Sequence, residues 1–114
     1  MQYGSQSHTR IFNFTSLSNP EQHFSYFGGT SAIDHDVYVK GDKLYLSNYT
    51  AGMRVLDISQ VHNKNVTEIG FFDTYPKDNN PKFNGVWNMY PFFESGVIPI
   101  NDIDSGLFLV KASD

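Results

Sequence analysis

The run Asp36-Val37-Tyr38-Val39-Lys40-Gly41-Asp42-Lys43-Leu44-Tyr45-Leu46-Ser47-Asn48 decides the fold. Val37 and Val39 flank Tyr38, and Leu44 and Leu46 flank Tyr45. A spacing of two puts alternate side chains on opposite faces of an extended chain. Between the two halves, Gly41 takes the first central position of a two-residue loop, as a type II′ turn requires, and the twist of that turn matches the twist of its strands. The stretch therefore predicts a tight antiparallel hairpin. A polar loop, Asn48 to Gly52, leads to a third predicted strand, Met53 to Ile58. After the polar run Ser59 to Asn65 a fourth follows, Thr67 to Phe72, giving a four-stranded meander.

The whole chain reads as all-β. Ten Phe, seven Tyr, nine Gly and five Pro are spread through 114 residues, and apolar spacing of three and four, the mark of a helix, is missing. With 39% hydrophobic residues the length suits one domain or less. Eight basic against twelve acidic residues give a net charge of −4, which argues against nucleic acid, where clustered Lys and Arg displace counterions. The absence of cysteine excludes disulfides, thiolate nucleophiles and cysteine zinc sites. No stretch has the apolar length of a membrane span or signal peptide.

Pieces of the meander recur on both sides of it. Arg10-Ile11-Phe12-Asn13-Phe14-Thr15 matches Arg54-Val55-Leu56-Asp57-Ile58-Ser59, and Phe24-Ser25-Tyr26-Phe27 matches Ile69-Gly70-Phe71-Phe72. Downstream, Gly106-Leu107-Phe108-Leu109-Val110 matches Gly52-Met53-Arg54-Val55-Leu56, and Asn84-Gly85-Val86-Trp87 matches His35-Asp36-Val37-Tyr38, with a short insertion around Tyr90 to Glu94. A repeat of about 40 to 45 residues holding four short strands is the pattern of a β-propeller blade. On this reading residues 1–29 are the last two strands of a blade, 30–73 a complete blade, 74–82 an inter-blade loop and 83–114 the first three strands of the next. About two and a half four-stranded antiparallel blades do not close a ring of four to eight. The expectation is a partial β-propeller belonging to a longer chain, with the remaining blades as its first partners.

The segments Ala32 to Gly41, Ser47 to Ser59 and Phe83 to Trp87, above all Gly52-Met53-Arg54-Val55-Leu56-Asp57-Ile58-Ser59, resemble the LVIVD-repeat propellers, and within them the choice-of-anchor B proteins. The resemblance spans Thr9 to Val110. It implies an extracellular or surface-anchored propeller of undetermined activity and supplies no catalytic residues. Two features depart from the pattern: Pro99 lies inside Val97 to Ile100, where it removes a ladder donor, and the usual proline after Asp57-Ile58-Ser59 is replaced by Gln60-Val61-His62.

Candidate chemistry is sparse. Asp34-His35-Asp36 offers two carboxylates and an imidazole for a hard metal or acid/base work. In an extended strand, however, the two Asp face one side and His the other, and structural hydrogen bonding along a polar channel, with Asn84 at the matching position, is the competing reading. Asn101-Asp102-Ile103-Asp104-Ser105-Gly106 begins like a calcium loop but lacks the later carboxylate. The alternative is a turn in which Asp102 and Asp104 bond the backbone. His8, His23 and His62 show no metal-ligand spacing. No nucleophile elbow, zincin helix, phosphate loop or dinucleotide fingerprint occurs. Three Asn-x-Ser/Thr patterns, at Asn13, Asn48 and Asn65, are unsurprising among ten Asn and seventeen Ser plus Thr.

Tyr49, Tyr75, Trp87, Tyr90, Phe92 and Phe93 fall in or near loops, where aromatics serve recognition, or alternatively pack between blades. Corresponding loops of successive blades emerge together, so Asn48 with Tyr49 and Asp102 with Asp104 are expected to form an aromatic and acidic rim. The expected function is a non-catalytic, secreted or cell-surface-anchored module binding a protein or carbohydrate, without a cofactor. Calcium is the ion the acidic loop would take. The alternatives are a propeller hydrolase or lactonase with a channel metal at Asp34, His35, Asp36 and Asn84, and a purely structural spacer.

Overall fold

The structure, a computed structural model, describes residues 2, 3 and 6–113; residues 1, 4, 5 and 114 lie outside it, so the expected end segments 1–29 and 83–114 are described without them. The chain is all-β, 49% strand, in three antiparallel sheets, none of them closed. The first contains β1 (Gln2–Tyr3), β2 (Gln6–Asn13) and β3 (Glu21–Phe27) in that order. The second is the meander β4 (Asp36–Lys40), β5 (Lys43–Ser47), β6 (Met53–Asp57) and β7 (Thr67–Phe72). The third is β8 (Val86–Met89), β9 (Val97–Asp102) and β10 (Gly106–Lys111), each paired with the next. A 3-10 turn, Val61–Asn63, interrupts the polar run before β7. Among the described residues no helix is long and apolar enough to cross a membrane.

The deciding hairpin forms as its spacing demands. Lys40 pairs with Lys43 and Tyr38 with Tyr45. Gly41 has φ +60° while Asp42 stays on the negative side, which is the type II′ combination. Period-two alternation then gives the second sheet two apolar faces. Tyr38, Tyr45 and Val55 lie in register on one face, which packs with Met53 against Val86, Met89, Ile98 and Ile100 of the third sheet. Leu46 and Leu56 lie on the other face and are buried beside Tyr26 and Gly28 of the first sheet's side. The second sheet thus lies between the other two, and burial on both faces is confined to its inner strands β5 and β6, since Val37 and Val39 of β4 and Ile69 and Phe71 of β7 stay exposed.

Two features of the strands differ from expectation. Strand β1 was not foreseen; its two residues pair with Ser7 and Gln6. Pro99 leaves the ladder of β9 intact, because β9 pairs with β10 along its full length, from Val97↔Lys111 to Asp102↔Gly106. The reason is geometric. The Pro99 carbonyl accepts from Tyr90 N at 3.1 Å, so Pro99 presents its backbone toward β8, and a residue's N–H and C=O point the same way in an antiparallel ladder. The missing donor therefore falls opposite Tyr90, where β8 has just ended. The proline removes one bond at a strand terminus and none from β10.

Matched segments also share their turn chemistry. Asn13 Oδ1 accepts from Thr15 N at 2.8 Å and Asp57 Oδ1 from Ser59 N at 2.8 Å, the same side-chain-to-backbone bond at corresponding positions. The bond holds the Asp57 carboxyl below its ordinary range.

Candidate functional site

The second and third sheets meet at one short backbone bridge. Tyr49 N donates to Val86 O at 3.2 Å and Val86 N returns a bond to Tyr49 O at 3.0 Å. The bridge depends on the residue before Val86: Gly85 has φ +89°, and a Cβ there would lie 2.3 Å from the Tyr49 carbonyl oxygen, closer than any side chain permits. The Asn48–Ala51 and Asp102–Ser105 loops flank Gly85 on its two sides. Ile103 N donates to Gly85 O at 2.8 Å, and Gly85 N donates to Asp104 Oδ2 at 2.8 Å.

The expected acidic rim is consumed by these turns. Asp102 Oδ1 accepts from the backbone N–H of Asp104 and Ser105 at 2.9 and 2.8 Å, and its Oδ2 accepts from the Thr74 hydroxyl. Asp104 takes Gly85 N and, at 3.0 Å, Asn84 Nδ2. The bond from Gly85, and after it the Asn84 amide, hold the Asp104 carboxyl below the usual carboxylate range. Both acids serve the turn. Tyr49, expected as an exposed rim aromatic, is buried, because its left-handed backbone (φ +45°) turns its ring into the gap between the sheets. That burial raises its phenol pKa. Asn48 is buried too, and its Oδ1 faces the space between the first and second sheets without a partner among the described residues.

Asp34, His35 and Asp36 go three ways. Asp34 Oδ2 accepts from the Thr9 hydroxyl of the first sheet at 3.1 Å, and burial pushes its carboxyl pKa up. Asp36 Oδ1 accepts from the adjacent Val37 N at 2.9 Å. His35 reaches across to the third sheet, its Nδ1 2.6 Å from Trp87 O. Among the described residues no three His, Asp or Glu side chains converge on one point.

What the fold does assemble is aromatic. Val86 pairs with Asp102 and Asn88 with Asn101, so two residues of β8 advance against one of β9 and Trp87 is the extra residue of a β-bulge. A bulge frees one residue from the ladder and re-aims its side chain. Trp87 uses both freedoms: its carbonyl accepts the His35 bond, and its indole stands 47% exposed. The His35 ring lies on it, centres 4.3 Å apart and planes 36° apart. Tyr49 backs His35 at 5.0 Å and Phe83, itself exposed, meets Tyr49 edge-on at 5.3 Å. Because a carbonyl only accepts, His35 Nδ1 donates this bond, and Nε2 takes no part in it. Trp87, Phe83 and His35, bordered through Gly85 by Asn84 and Asp104, form the candidate site. Phe83 was not singled out from the sequence, and nothing in its polar neighbourhood marks it.

The inserted segment forms a second aromatic group with a packing role. Pro91 is fully buried and its carbonyl accepts from Lys40 Nζ at 3.0 Å, which folds Tyr90 and Phe92 edge-on against Tyr38 at 6.4 and 5.6 Å. Phe93 stacks edge-on to Tyr90 at 5.0 Å. Tyr75 lies under the Lys82 ammonium, 5.1 Å from its ring centre. Comparison of the chain with protein-family models, with curated proteins and with solved structures gives no match.

Proposed function

We propose that the chain is a non-catalytic carbohydrate-binding module, part of a secreted or surface-displayed β-propeller, with the Trp87 platform as its binding surface. One observation carries the reading. A large aromatic is lifted out of the ladder by a bulge and held half-exposed, with its orientation fixed by a histidine bonded to its own carbonyl. A sugar ring presents an apolar face for such an indole and hydroxyls for polar groups at its border. His35 Nε2 is the ring nitrogen left to bond a hydroxyl, and the Asn84 and Asp104 pair bounds the other side. Pre-orientation of the platform lowers the entropy lost on binding.

The propeller part of the proposal draws on the matched segments and on the two ends of the stack. Leu56 is buried on the second sheet, whereas its counterpart Phe12 on the first is exposed; Met53 is buried, whereas its counterpart Leu107 on the third is exposed. Each end of the stack thus presents an apolar face that the middle sheet covers, as an interrupted series of blades does. The similarity of residues 52–59 to LVIVD repeats supports the same reading and is the ground for placing the protein outside the cell. The alternative hydrolase needs Asp34, His35 and Asp36 to converge, and their divergence gives it no support.

The test is titration calorimetry against soluble oligosaccharides chosen from a glycan array. Saturable binding that falls at least about tenfold in Trp87→Ala, with an unchanged melting temperature, is the expected result. Binding that is absent across the array, or that survives Trp87→Ala, removes the proposal.

A further inference from the structure

Strand β10 has one partner where its counterpart has two. β6 lies between β5 and β7, while among the described residues β10 pairs only with β9. The difference is visible at the glycines that open the two strands. Gly52 and Gly106 both have positive φ, +77° and +84°. A Cβ on Gly52 would lie 2.3 Å from the Phe72 carbonyl oxygen of β7, whereas a Cβ on Gly106 would meet nothing within 4 Å. Among the described residues nothing takes beside β10 the place that β7 fills beside β6.

The empty place is equipped for a strand. Pro99 shows its backbone to β8, so its partner Leu109 turns its N–H and C=O away from β9, toward the open edge. By alternation the same holds for Leu107 and Lys111. Between this edge and β7 lies an open pocket of about 510 Å³ with an apolar floor that includes Tyr45, Met53, Val55, Ile98 and Val110. Lys43, exposed, also lines it and makes no ion pair among the described residues. Gly70 opens further room, since a Cβ there would touch nothing within 4 Å.

We infer that the open edge of β10 is a receptor for an extended peptide strand of the β7 type, paired antiparallel with β10 and carrying an acidic residue toward Lys43. β7 sets the register. On β6 it places Phe72 opposite Met53, Gly70 opposite Val55 and Glu68 opposite Leu56. Carried over to the matched residues of β10, these three fall opposite Leu107, Leu109 and Val110. Glu68 faces back from its own sheet, on the side of Arg54, to which it is paired at 3.2 Å. The corresponding acid, opposite Val110, therefore faces the second sheet, on the pocket side where Lys43 lies. Main-chain bonds supply affinity in such strand addition and alternate side chains supply selectivity. The inference extends the propeller reading by naming the register and chemistry of the missing neighbour, and it involves no residue of the Trp87 platform, so sugar binding and strand binding fail independently.

The test adds to the 114-residue chain a blocked, fluorescent peptide with the sequence of residues 66–73. Saturable binding is expected, together with slowed amide exchange at Leu107, Leu109 and Lys111. Leu109→Pro removes an outward donor while sparing the pairing to Pro99, and is expected to weaken binding at least about tenfold. A peptide with N-methylglycine in place of Gly70 deletes the reciprocal donor without altering the protein, and should bind comparably poorly. Glu68→Lys in the peptide should weaken binding about fivefold at low salt. No binding at about 1 mM peptide, or binding indifferent to N-methylation, overturns the inference.

Discussion

Strands β6 and β10 start from matched sequence and end in opposite surroundings. Gly52-Met53-Arg54-Val55-Leu56 and Gly106-Leu107-Phe108-Leu109-Val110 both open on a glycine with positive φ, and both send alternate residues to the same two faces. Phe108 and Val110 pack back against the second sheet's core, as Leu56 packs back toward the first. Yet Met53 is 5% exposed and Leu107 is 62% exposed. The direction in which a side chain points follows from period two and a turn; whether it is buried depends on what lies beyond the sheet. An apolar pattern in a strand therefore identifies a face to be covered, without saying that it is covered.

The largest effect separates the middle sheet from its flank. Leu56, 1% exposed, should lose about 3 kcal/mol on Leu56→Ala, because the cavity adds to the lost transfer energy. Phe12→Ala, at the matched and 45% exposed position, should cost under about 1 kcal/mol. Urea denaturation with constant m-value compares them. Equal losses would mean that the outer face of the first sheet is covered in solution, and the comparison would break.

The paired glycines give the next effect. Gly52→Ala combines left-handed backbone strain with a backbone collision against Phe72 and should cost about 2–3 kcal/mol. Gly106→Ala carries the strain alone, at about 1 kcal/mol. A Gly106→Ala cost equal to that of Gly52→Ala would show a neighbour beside β10 that thermal denaturation of the isolated chain has retained.

Smaller still is the pH effect at Asp34, the chain position that matches Phe83 of the third sheet. Burial raises the Asp34 carboxyl pKa in the folded chain, so between the unfolded value, about 4, and the raised folded value the native state holds more protons than the unfolded state. Stability from this group is fully present below about pH 4 and declines as pH rises through the folded pKa. Asp34→Asn retains an acceptor for Thr9 and removes the buried charge. It should equal the wild type in melting temperature at pH 3 and exceed it at pH 7; a lower melting temperature at pH 7 would show that the charge itself holds the first and second sheets together. The smallest effect belongs to Leu107→Lys with Leu109→Lys, which should leave stability within about 0.5 kcal/mol while reducing self-association in light scattering, since it charges an exposed apolar edge.

The residue alternation and the Gly41 turn determined the all-β class, the four-stranded meander and the faces that Tyr38, Tyr45, Leu46 and Leu56 occupy, while β1 of the first sheet was not legible. These are local matters, fixed by backbone sterics and a period of two. The turn chemistry of Asp102 and Asp104 was legible for the same reason, because a short acid bonds its own neighbouring N–H groups wherever the chain bends. Tertiary structure decided the rest. Asp34, His35 and Asp36 are adjacent in sequence, but Asp34 faces the first sheet and His35 the third, so their partners come from 25 and 52 residues away. Tyr49 is loop sequence that became interior because Gly85 lets two backbones touch. Trp87 belongs to a strand whose alternation a single bulge interrupts, and a bulge depends on the register of two strands against each other, which neither strand specifies alone. Only packing of one sheet against the next turned those residues into a site.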